Sequence, residues 1–262
     1  GYIINPYEEN DDNTKYFSNS NPQKQPVNHD FFVTNSGNTS KHSFNISGQF
    51  QNNLYVGLNI NSFSSEYRRI DNLIEYNYGS ESSFDSAEFE NELYTVGNGF
   101  SFQLGAIYKT NNNVRIGFSY QSPKWLSFSD ELLQYIESSK QIGFDSVNPE
   151  IINIYDYRLT TPSVYSFGLA YIFGTKALIS IQYDLTDHRN LRFDVENGDV
   201  NFINQNKLIK KKLQSAGNLK VGLEYKIYRL SLRAGLIKSQ SINRLNNDIN
   251  EGLSMGFGYD FG

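Results

Sequence analysis

Charged side chains recur at every second position in segments whose intervening residues are apolar. In an extended chain they therefore share one face with Ser, Asn and Gln. Opposite charges on adjacent strands stabilise a sheet, and in some channels they tune what passes. A two-residue turn at Tyr228 and Arg229 would place Glu224 directly opposite Arg233. The predicted ladder of charges on the polar face comprises Arg115, Asp184, Lys220, Glu224, Lys226 and Arg233.

Residues with catalytic or metal-binding potential are sparse. The three histidines, His29, His42 and His188, are far apart, and none has a partner at a metal-ligand spacing. Cysteine is absent, and neither a G-x-S-x-G nor a P-loop pattern occurs. His188 is the only loose candidate for a hydrolase, and no serine or acid is positioned to work with it. The sequence therefore predicts a protein that is not an enzyme and needs no cofactor.

The composition narrows the protein class. The net charge of −5 argues against a nucleic-acid partner, and no apolar run reaches the ~18 residues that a membrane helix requires. The mean hydropathy is −0.53, yet aromatic residues make up 15% of the chain. Strands of a membrane barrel need only ~9–11 residues, and aromatic residues concentrate at membrane interfaces. The composition is therefore compatible with a membrane β-barrel.

Strict alternation of apolar and polar residues divides the chain into extended segments. In the clearest one, Leu219, Val221 and Leu223 alternate with Lys220 and Gly222. Such a period of two is typical of a strand with one apolar face. Nine strands are predicted, at residues 42–50, 54–63, 98–109, 114–121, 161–173, 177–185, 219–227, 230–237 and 252–261.

The connections between these strands alternate between short and long. Turns of two to four residues follow the first, third, fifth and seventh strands, and longer polar segments separate the others. In an up-and-down meander this pattern collects the short turns at one end, as in outer-membrane barrels with short periplasmic turns and long extracellular loops. The polar segment 1–41 is predicted to be a further extracellular loop, before a barrel portion at 42–261.

The apolar face of every predicted strand needs a partner layer. In a membrane barrel that layer is lipid, and the face of Ser, Asn, Gln, Gly and charges lines a wet lumen. In the alternative, a secreted β-sandwich, a second sheet would cover the apolar face. The sorted connections and the polar opposite face favour an all-β fold, a transmembrane up-and-down antiparallel β-barrel in the bacterial outer membrane.

Helical patterns are predicted inside two long segments. At 127–140, SFSDELLQYIESSK, Ser129 would be the N-cap, and Asp130 and Glu131 would occupy the first turn. A shorter helical stretch is predicted at Ile70, Leu73 and Ile74.

Three segments carry a family resemblance. GAIYKTNNNVRIGFSYQSP, YRLTTPSVYSFGLAYIFGTKALISIQYDLTD and NLKVGLEYKIYRLSLRAGL are similar to the FadL/TodX family of outer-membrane transporters for hydrophobic compounds, above all to its Bacteroidetes versions. The resemblance covers about 100–236 and rests on the pattern of hairpins. It implies a barrel of about 14 strands whose lumen is plugged by an N-terminal hatch. The predicted strands then fit the fourth to twelfth of the family, and the hatch and the remaining strands are expected outside this sequence.

The resemblance also implies a function. It is passive uptake of small hydrophobic molecules, such as long-chain fatty acids or aromatic hydrocarbons, without covalent chemistry. The expected partners are this ligand, outer-membrane lipid and lipopolysaccharide, whose phosphates the basic run 207–212 could contact unless it is simply solvated. The alternative is a non-transporting barrel of the same family that is an accessory or structural subunit of a larger outer-membrane protein complex.

In this family two long extracellular loops form an apolar capture groove. By strand count they correspond to 64–97 and 122–160. Apolar residues in such a loop mark an interaction site, or they pack on one another and stabilise the loop. The candidates for ligand binding are Trp125, Leu126, Phe128, Leu132, Leu133 and Ile136.

Overall fold

Strands make up most of the computed structural model. The described residues are 4–6, 16–18, 27–78, 84–110, 113–140, 144–147, 152–197, 201–246 and 248–262. Two short strands, β1 (Ile4–Pro6) and β2 (Tyr16–Ser18), pair with each other. All other described strands belong to one large antiparallel sheet.

The strands of this sheet follow one another closely along the chain. They are β3 (Asn28–Phe50), β4 (Leu54–Tyr76), β5 (Phe84–Lys109), β6 (Val114–Gln121), β7 (Trp125–Lys140), β8 (Phe144–Val147), β9 (Asn153–Thr160), β10 (Val164–Phe173), β11 (Ala177–Asp187), β12 (Arg192–Asn197), β13 (Ser215–Ile227), β14 (Leu230–Gln240) and β15 (Ile249–Tyr259). A 3₁₀ turn, His188–Asn190, follows β11, and the helix α1 (Ile203–Lys212) precedes β13. No helix among the described residues is long and apolar enough to cross a membrane.

Three strands of the sheet are interrupted. After breaks of three or four residues, β6 continues as β7, β9 as β10 and β11 as β12, and each part pairs with the matching part of the strand beside it. If each interrupted strand is counted as one, and the short β8 that pairs with β7 is left aside, the sheet has nine strands. Each of these strands lies beside the next one in sequence. The predicted nine-strand, up-and-down antiparallel sheet is confirmed. Among the described residues β3 and β15 pair on one side only, and closure into a ring remains a prediction.

The short connections are those that the sequence predicts. β3, β5, β10 and β13 each lead into the next strand through two to four residues. In the last of these turns Tyr228 adopts a left-handed φ of 53°, which suits a tight turn between antiparallel strands. The turn sets a register in which Glu224 lies opposite Arg233, so the predicted register of this hairpin is confirmed. The edge of the sheet that carries these turns is called the short-turn end below.

At the other end the strands extend further than predicted. β3 begins at Asn28 rather than at residue 42, β4 runs to Tyr76 rather than to 63, and β5 begins at Phe84 rather than at 98. Polar side chains link these extensions, as where Arg68 Nε donates to Glu92 Oε1 at 2.6 Å. The alternation of apolar residues ends here, but the pairing of backbone groups does not.

The loops and helices predicted at this end are therefore wrong. The loop predicted at 1–41 is strand from Asn28 onward, the one at 64–97 is mostly β4 and β5, and the one at 122–160 is mostly β7, β8 and β9. The predicted helix at 127–140 lies in β7. The helical stretch predicted at Ile70, Leu73 and Ile74 lies in β4.

Contacts with β5 explain why β7 is not a helix. Asp130, expected in a first helical turn, accepts a hydrogen bond from Thr95 Oγ1 at 2.7 Å. Gln134 Nε2 likewise donates to Asn91 Oδ1 at 2.7 Å. A local helical pattern is a weak preference, since ordinary residues differ by less than about 1 kcal/mol in helix propensity, and pairing with a neighbouring strand overrides it. The described helix lies elsewhere in the chain, in α1, which contains the basic run 207–212.

By its internal contacts the chain divides into two compact units. The first comprises residues 1–39, 65–96 and 129–155, and the second comprises 40–64, 97–128 and 156–262. The first holds the strand extensions with β1, β2 and β8. The second holds the short turns, the strand breaks and α1.

One face of the sheet in the second unit is apolar and uncovered. Phe118, Phe167, Ile181 and Leu223 lie on this face and are 42%, 53%, 44% and 50% exposed. A β-sandwich would bury such side chains under a second sheet, and no described element covers them. The only buried hydrophobic residues in the described part of the chain are Tyr78, Ala87 and Ala216.

Candidate ligand-binding site

The breaks in the three interrupted strands lie at one level of the sheet. They are residues 122–124, 161–163 and 188–191. On the short-turn side, Val164 is paired with both Gln121 and Thr186, so the three strands reach their breaks together. Two of the breaks contain a proline, at Pro123 and Pro162, and proline lacks the amide hydrogen that a continuous ladder needs.

Two hydrogen bonds reconnect the strands beyond the prolines. The Thr161 amide donates to the Lys124 carbonyl at 3.0 Å, and the Lys124 amide donates to Thr161 Oγ1 at 2.9 Å. Ser122, between them and β6, is fully buried, and its hydroxyl accepts from the Phe102 amide at 2.9 Å. The breaks are therefore ordered features of the wall.

Asp187 holds the third break. Its carboxylate caps the 3₁₀ turn by accepting from the Arg189 amide at 3.1 Å and from Arg189 Nε at 2.8 Å. The hydrogen bonds from the Arg189 side chain lower the pKa of Asp187 to about 2. Burial lowers the pKa of the neighbouring His188, although the charge of Asp187 opposes that shift.

The alternation of side chains changes phase at these breaks. Tyr120 of β6 belongs to the apolar face, and so does Trp125 of β7, whose ring centroid lies 4.9 Å from that of Phe100. In this strand even-numbered residues thus occupy the apolar face before the break, and odd-numbered residues occupy it after. A shift of one residue moves every following side chain to the other face of a sheet. Phe128 accordingly lies on the opposite face of β5, over Gly97.

Four rings on that opposite face form the aromatic cluster, defined here as Phe128, Tyr157, Phe193 and Phe202. Tyr157 of β9 lies 5.5 Å from Phe128, 6.1 Å from Phe193 and 5.9 Å from Phe202, measured between ring centroids. Phe193 and Phe202 are 5.5 Å apart. All four rings are half-buried, so part of each remains open to a ligand. Open aromatic surface of this kind binds small apolar and aromatic molecules.

Two glycines of β5 make room for the cluster. A β-carbon at Gly97 would overlap the ring of Phe128, and one at Gly99 would come within 2.6 Å of Leu126 Cδ2. The side chains of β7 therefore rest directly on the backbone of β5. A larger residue at either position would push them away from Tyr157.

Helix α1 lies beside the edge of β12 that pairs with no described strand, and it brings the fourth ring to the cluster. Asn206 Oδ1 accepts from the Phe193 amide at 2.9 Å, and Asn206 Nδ2 donates to the Phe193 carbonyl at 2.7 Å. One side-chain amide thus takes the place of a neighbouring strand on this edge. Phe202 is the residue before the first turn of α1, and this position brings its ring against Phe193.

On β9 and β12, charged side chains lie on the face opposite to the aromatic cluster. Arg158 pairs in register with Asp194, and Thr160 pairs with Arg192. Arg192 Nε donates to Asp194 Oδ1 at 2.8 Å. On β9 and β12 the apolar face of the sheet therefore continues as a charged surface beyond the breaks, and the polar face continues as an aromatic one.

Most of the predicted charge ladder lies on the polar face on the short-turn side of the breaks. Lys220 Nζ donates to Asp184 Oδ2 at 2.7 Å, and Asp184 is 8% exposed. Arg233 Nε donates to Glu224 Oε2 at 3.1 Å, and Lys226 Nζ lies 4.0 Å from the other oxygen of that carboxylate. The structure therefore brings five of the predicted charges together in two separate groups.

Arg115 is not a member of either group. It lies opposite Lys109 of β5 and Ala170 of β10. Lys109 Nζ in turn donates to the Tyr55 hydroxyl at 2.6 Å and lies 4.4 Å from the centre of that ring. The influence of these charges on passage remains a prediction.

Small and neutral residues form much of the rest of the polar face. Asn61 accepts from Ser43 Oγ at 2.8 Å and donates to Ser101 Oγ at 3.3 Å, which links three strands. A cavity of about 580 Å³ lies on glycine-rich backbone that includes Gly57, Gly105, Gly117 and Gly168. This part of the wall carries little side-chain bulk.

The six apolar residues predicted as one binding surface do not form one. Leu126 and Phe128 lie on the face of the aromatic cluster, and Trp125 lies on the other face, where it packs on Phe100. The six were expected together in one extracellular loop, but adjacent residues of a strand point to opposite faces. Ligand binding by these residues remains a prediction. The remaining three, further along β7 in the first unit, are Leu132, Leu133 and Ile136.

The sequence-based prediction did not include Tyr157, Phe193 or Phe202. A signal was present in the sequence, since Pro123 and Pro162 interrupt otherwise continuous alternation. After such a break the assignment of residues to the two faces has to be made again, because one extra residue exchanges the faces.

Across the described ranges, no three His, Cys, Asp or Glu side chains lie together in a way that could hold a metal ion.

Comparisons with known proteins give two similar solved structures and no matching family. No protein-family model and no curated protein matches the sequence. Two solved structures of the Pseudomonas putida toluene transporter TodX are similar to this chain, each with a TM-score of 0.42 at 13% sequence identity. The match covers 90% of this chain and 78% of the TodX chain.

Proposed function

We propose that this chain forms part of the wall of a bacterial outer-membrane channel for the passive uptake of small hydrophobic molecules, such as long-chain fatty acids or aromatic hydrocarbons. The observation that carries this proposal is the exchange of faces at the strand breaks. On the short-turn side the apolar side chains cover the outside of the wall, and beyond the breaks they line the inside.

Aromatic side chains at two levels of the apolar face support a membrane location. Phe100 and Tyr108 lie on this face of β5, eight residues apart. That is about 27 Å along a strand, or about 20 Å along the membrane normal at a tilt of about 40°. Outer-membrane barrels carry an apolar band about 25 Å tall between two aromatic girdles. The other rings at the two levels are Phe102, Tyr120, Trp125 and Tyr165 near the breaks, and Tyr171, Phe173, Tyr225 and Tyr259 near the short turns.

The aromatic cluster suits the capture of a hydrophobic molecule at the mouth of the channel. An apolar solute gains free energy when it leaves water for an apolar surface. Phe128 and Tyr157 offer such a surface on the inner side of the wall, where the rest of the wall is polar. The solute then meets small side chains and the charge ladder on the same face. Binding at the mouth raises its local concentration, and no covalent step is required.

A non-transporting role as an accessory or structural subunit of an outer-membrane complex is the second candidate. The observation that favours it is β3, an edge strand of 23 residues, all but one of them exposed, which could pair with a strand of the same protein or of a partner. Exposed edge strands are templates for pairing with another protein. Stoichiometric co-purification of other outer-membrane proteins would support this role.

Uptake by a variant without the aromatic cluster tests the proposal. We expect Tyr157→Ser together with Phe193→Ser to lower the initial rate of uptake about tenfold, because loss of two stacked rings removes about 1–3 kcal/mol of apolar contact. The measurement is uptake of radiolabelled oleate and toluene by vesicles that contain the full-length protein. Tyr157→Phe keeps the ring and should retain most of the rate.

Tyr228→Ser is the matched control, since Tyr228 is fully exposed in a short turn remote from the cluster. Unchanged uptake by the serine double variant would contradict capture at the cluster. If the natural protein takes up neither compound faster than empty vesicles, and co-purifies with partners, the subunit role stands instead.

A further inference from the structure

Two guanidinium groups lie beside the aromatic rim of the apolar face. Arg158 of β9 and Arg192 of β12 line a cavity of about 780 Å³ together with Phe100 and Trp125. The two rings are in contact, with centroids 4.9 Å apart. The cavity therefore joins a cationic wall to an apolar one, on the face away from the aromatic cluster.

The two arginines are close enough to bind one anion. Arg158 lies opposite Asp194 and Arg192 opposite Thr160, so the arginines are diagonal neighbours, with Cα atoms about 7–8 Å apart. Side chains of this length can converge from that distance on a group between them. They are called the arginine pair below.

Both arginines retain free donors. Arg192 is 67% exposed in its side chain and binds Asp194 through one carboxylate oxygen. Arg158 donates a long hydrogen bond of 3.4 Å to the Val195 carbonyl, and within the described part of the chain it forms no ion pair. A guanidinium has five N–H donors, so most of those of Arg158 are available.

The surroundings of the arginine pair are positively charged. Arg192 also lines a second cavity, of about 680 Å³, beside α1. The basic side chains around the two cavities are Arg158, Arg189, Arg192, Lys207 and Lys210, and the acidic ones nearby are Asp187 and Asp194. This gives a local excess of three positive charges in a chain whose net charge is −5.

We propose that the arginine pair binds a phosphate group of a phosphorylated lipid in the outer leaflet, with the lipid's acyl chains against Trp125 and Phe100. Guanidinium groups match the geometry of phosphate and bind it through paired hydrogen bonds. Phosphates lie just outside the hydrocarbon, at the level where Trp anchors a membrane protein. The proposal rests on the membrane location in the proposed function and not on transport.

Native mass spectrometry of the full-length protein in mild detergent tests this site. Bisphosphorylated lipid A and its dephosphorylated form are titrated into the natural protein and into the double variant Arg158→Gln with Arg192→Gln. We expect the natural protein to bind the phosphorylated form about tenfold more tightly, and the double variant to lose that preference, since hydrogen bonds from guanidinium to phosphate are charge-assisted and stronger than neutral ones.

Two control variants separate this site from others. Lys238→Gln removes an exposed cation that is paired with Glu251 at 2.9 Å, and it should leave the preference unchanged. Tyr157→Ser should also leave it unchanged, because Tyr157 lies on the other face. If that variant loses uptake and keeps lipid binding, the two proposals are independent.

Three results would overturn the proposed site. One is equal affinity of the natural protein and the arginine variant for lipid A. Another is a preference for phosphorylated lipid A that is lost in the variant Lys207→Gln with Lys210→Gln but kept in the arginine double variant. The third is displacement of the lipid by inorganic phosphate at equal concentration, which would indicate a general anion site and not a lipid site.

Discussion

Replacing Ile181 with arginine is expected to lower the free energy of unfolding in lipid by about 2–4 kcal/mol, the cost of a cation in the middle of the lipid-facing surface of a barrel. Ile181 lies in register between Leu169 and Val221 on the apolar face and is 44% exposed. It is midway along β11, so the side chain cannot reach either interface without strain. Denaturant unfolding of the full-length protein in lipid vesicles measures the change.

The adjacent position gives the matched control. Ser180 lies on the polar face, between Ala170 and Gly222, where a long side chain meets little bulk. Ser180→Arg is therefore expected to change the free energy of unfolding by less than about 1 kcal/mol, as a substitution on the polar face. The reverse order of the two variants would show that the faces have been assigned the wrong way round.

Replacing Gly97 with valine is expected to displace the ring of Phe128 and to lower both stability and uptake. The new β-carbon would overlap that ring, and overpacking of this kind costs about 1–3 kcal/mol. The ring then loses its contact with Tyr157, at present 5.5 Å between centroids. We expect the uptake rate to fall as far as in the variant that lacks two rings of the cluster.

Gly105→Val distinguishes this effect from a general effect of valine in β5. Gly105 is on the same face of the same strand, and a β-carbon there would have no neighbour within 4 Å. Because valine favours strands, this control should fold as well as the natural protein. Adding Phe128→Ala to Gly97→Val should restore stability but not uptake. Restored uptake in that double variant would exclude Phe128 from the site.

The short-turn end of the fold could be predicted from the sequence and the far end could not. Strands β6, β11 and β14 begin at the predicted residues because one apolar and one polar face produce a period of two. Beyond residue 63 in β4 apolar and polar residues no longer alternate, so the strand continues without that signal. There the fold depends on pairing between distant residues, such as Arg68 with Glu92, which a single sequence does not reveal.

The same limit applied to the candidate site. Phe128 was identified, but as part of a helix and in the company of Trp125. Its true neighbours, Tyr157 and Phe193, come from two other strands, and their face depends on phase changes at Pro123 and Pro162. The charge ladder was easier to predict, since Glu224 and Arg233 are joined by a two-residue turn that fixes their register.

The exchange of faces connects the fold with the proposed function. A sheet with uninterrupted strands would keep its apolar side outward along its full length, and its mouth would be polar. In the proposed channel, breaks at one level of three neighbouring strands let the sheet be apolar outward in lipid and apolar inward at the mouth. The same exchange places Arg158 and Arg192 on the outside, directly beside Trp125.

Quenching of tryptophan fluorescence by brominated lipids tests the exchange of faces most directly. Trp125 is the only tryptophan of the chain, and it lies on the apolar face three residues before Phe128, which lies on the other. Trp125 is measured at its natural position and in the double variant Trp125→Phe with Phe128→Trp, both in full-length protein in vesicles, with any tryptophan outside residues 1–262 replaced by phenylalanine and folding checked by circular dichroism. The exchange of faces predicts strong quenching of Trp125 and little quenching of the tryptophan moved to position 128. Equal quenching at the two positions, or none at Trp125, would contradict it.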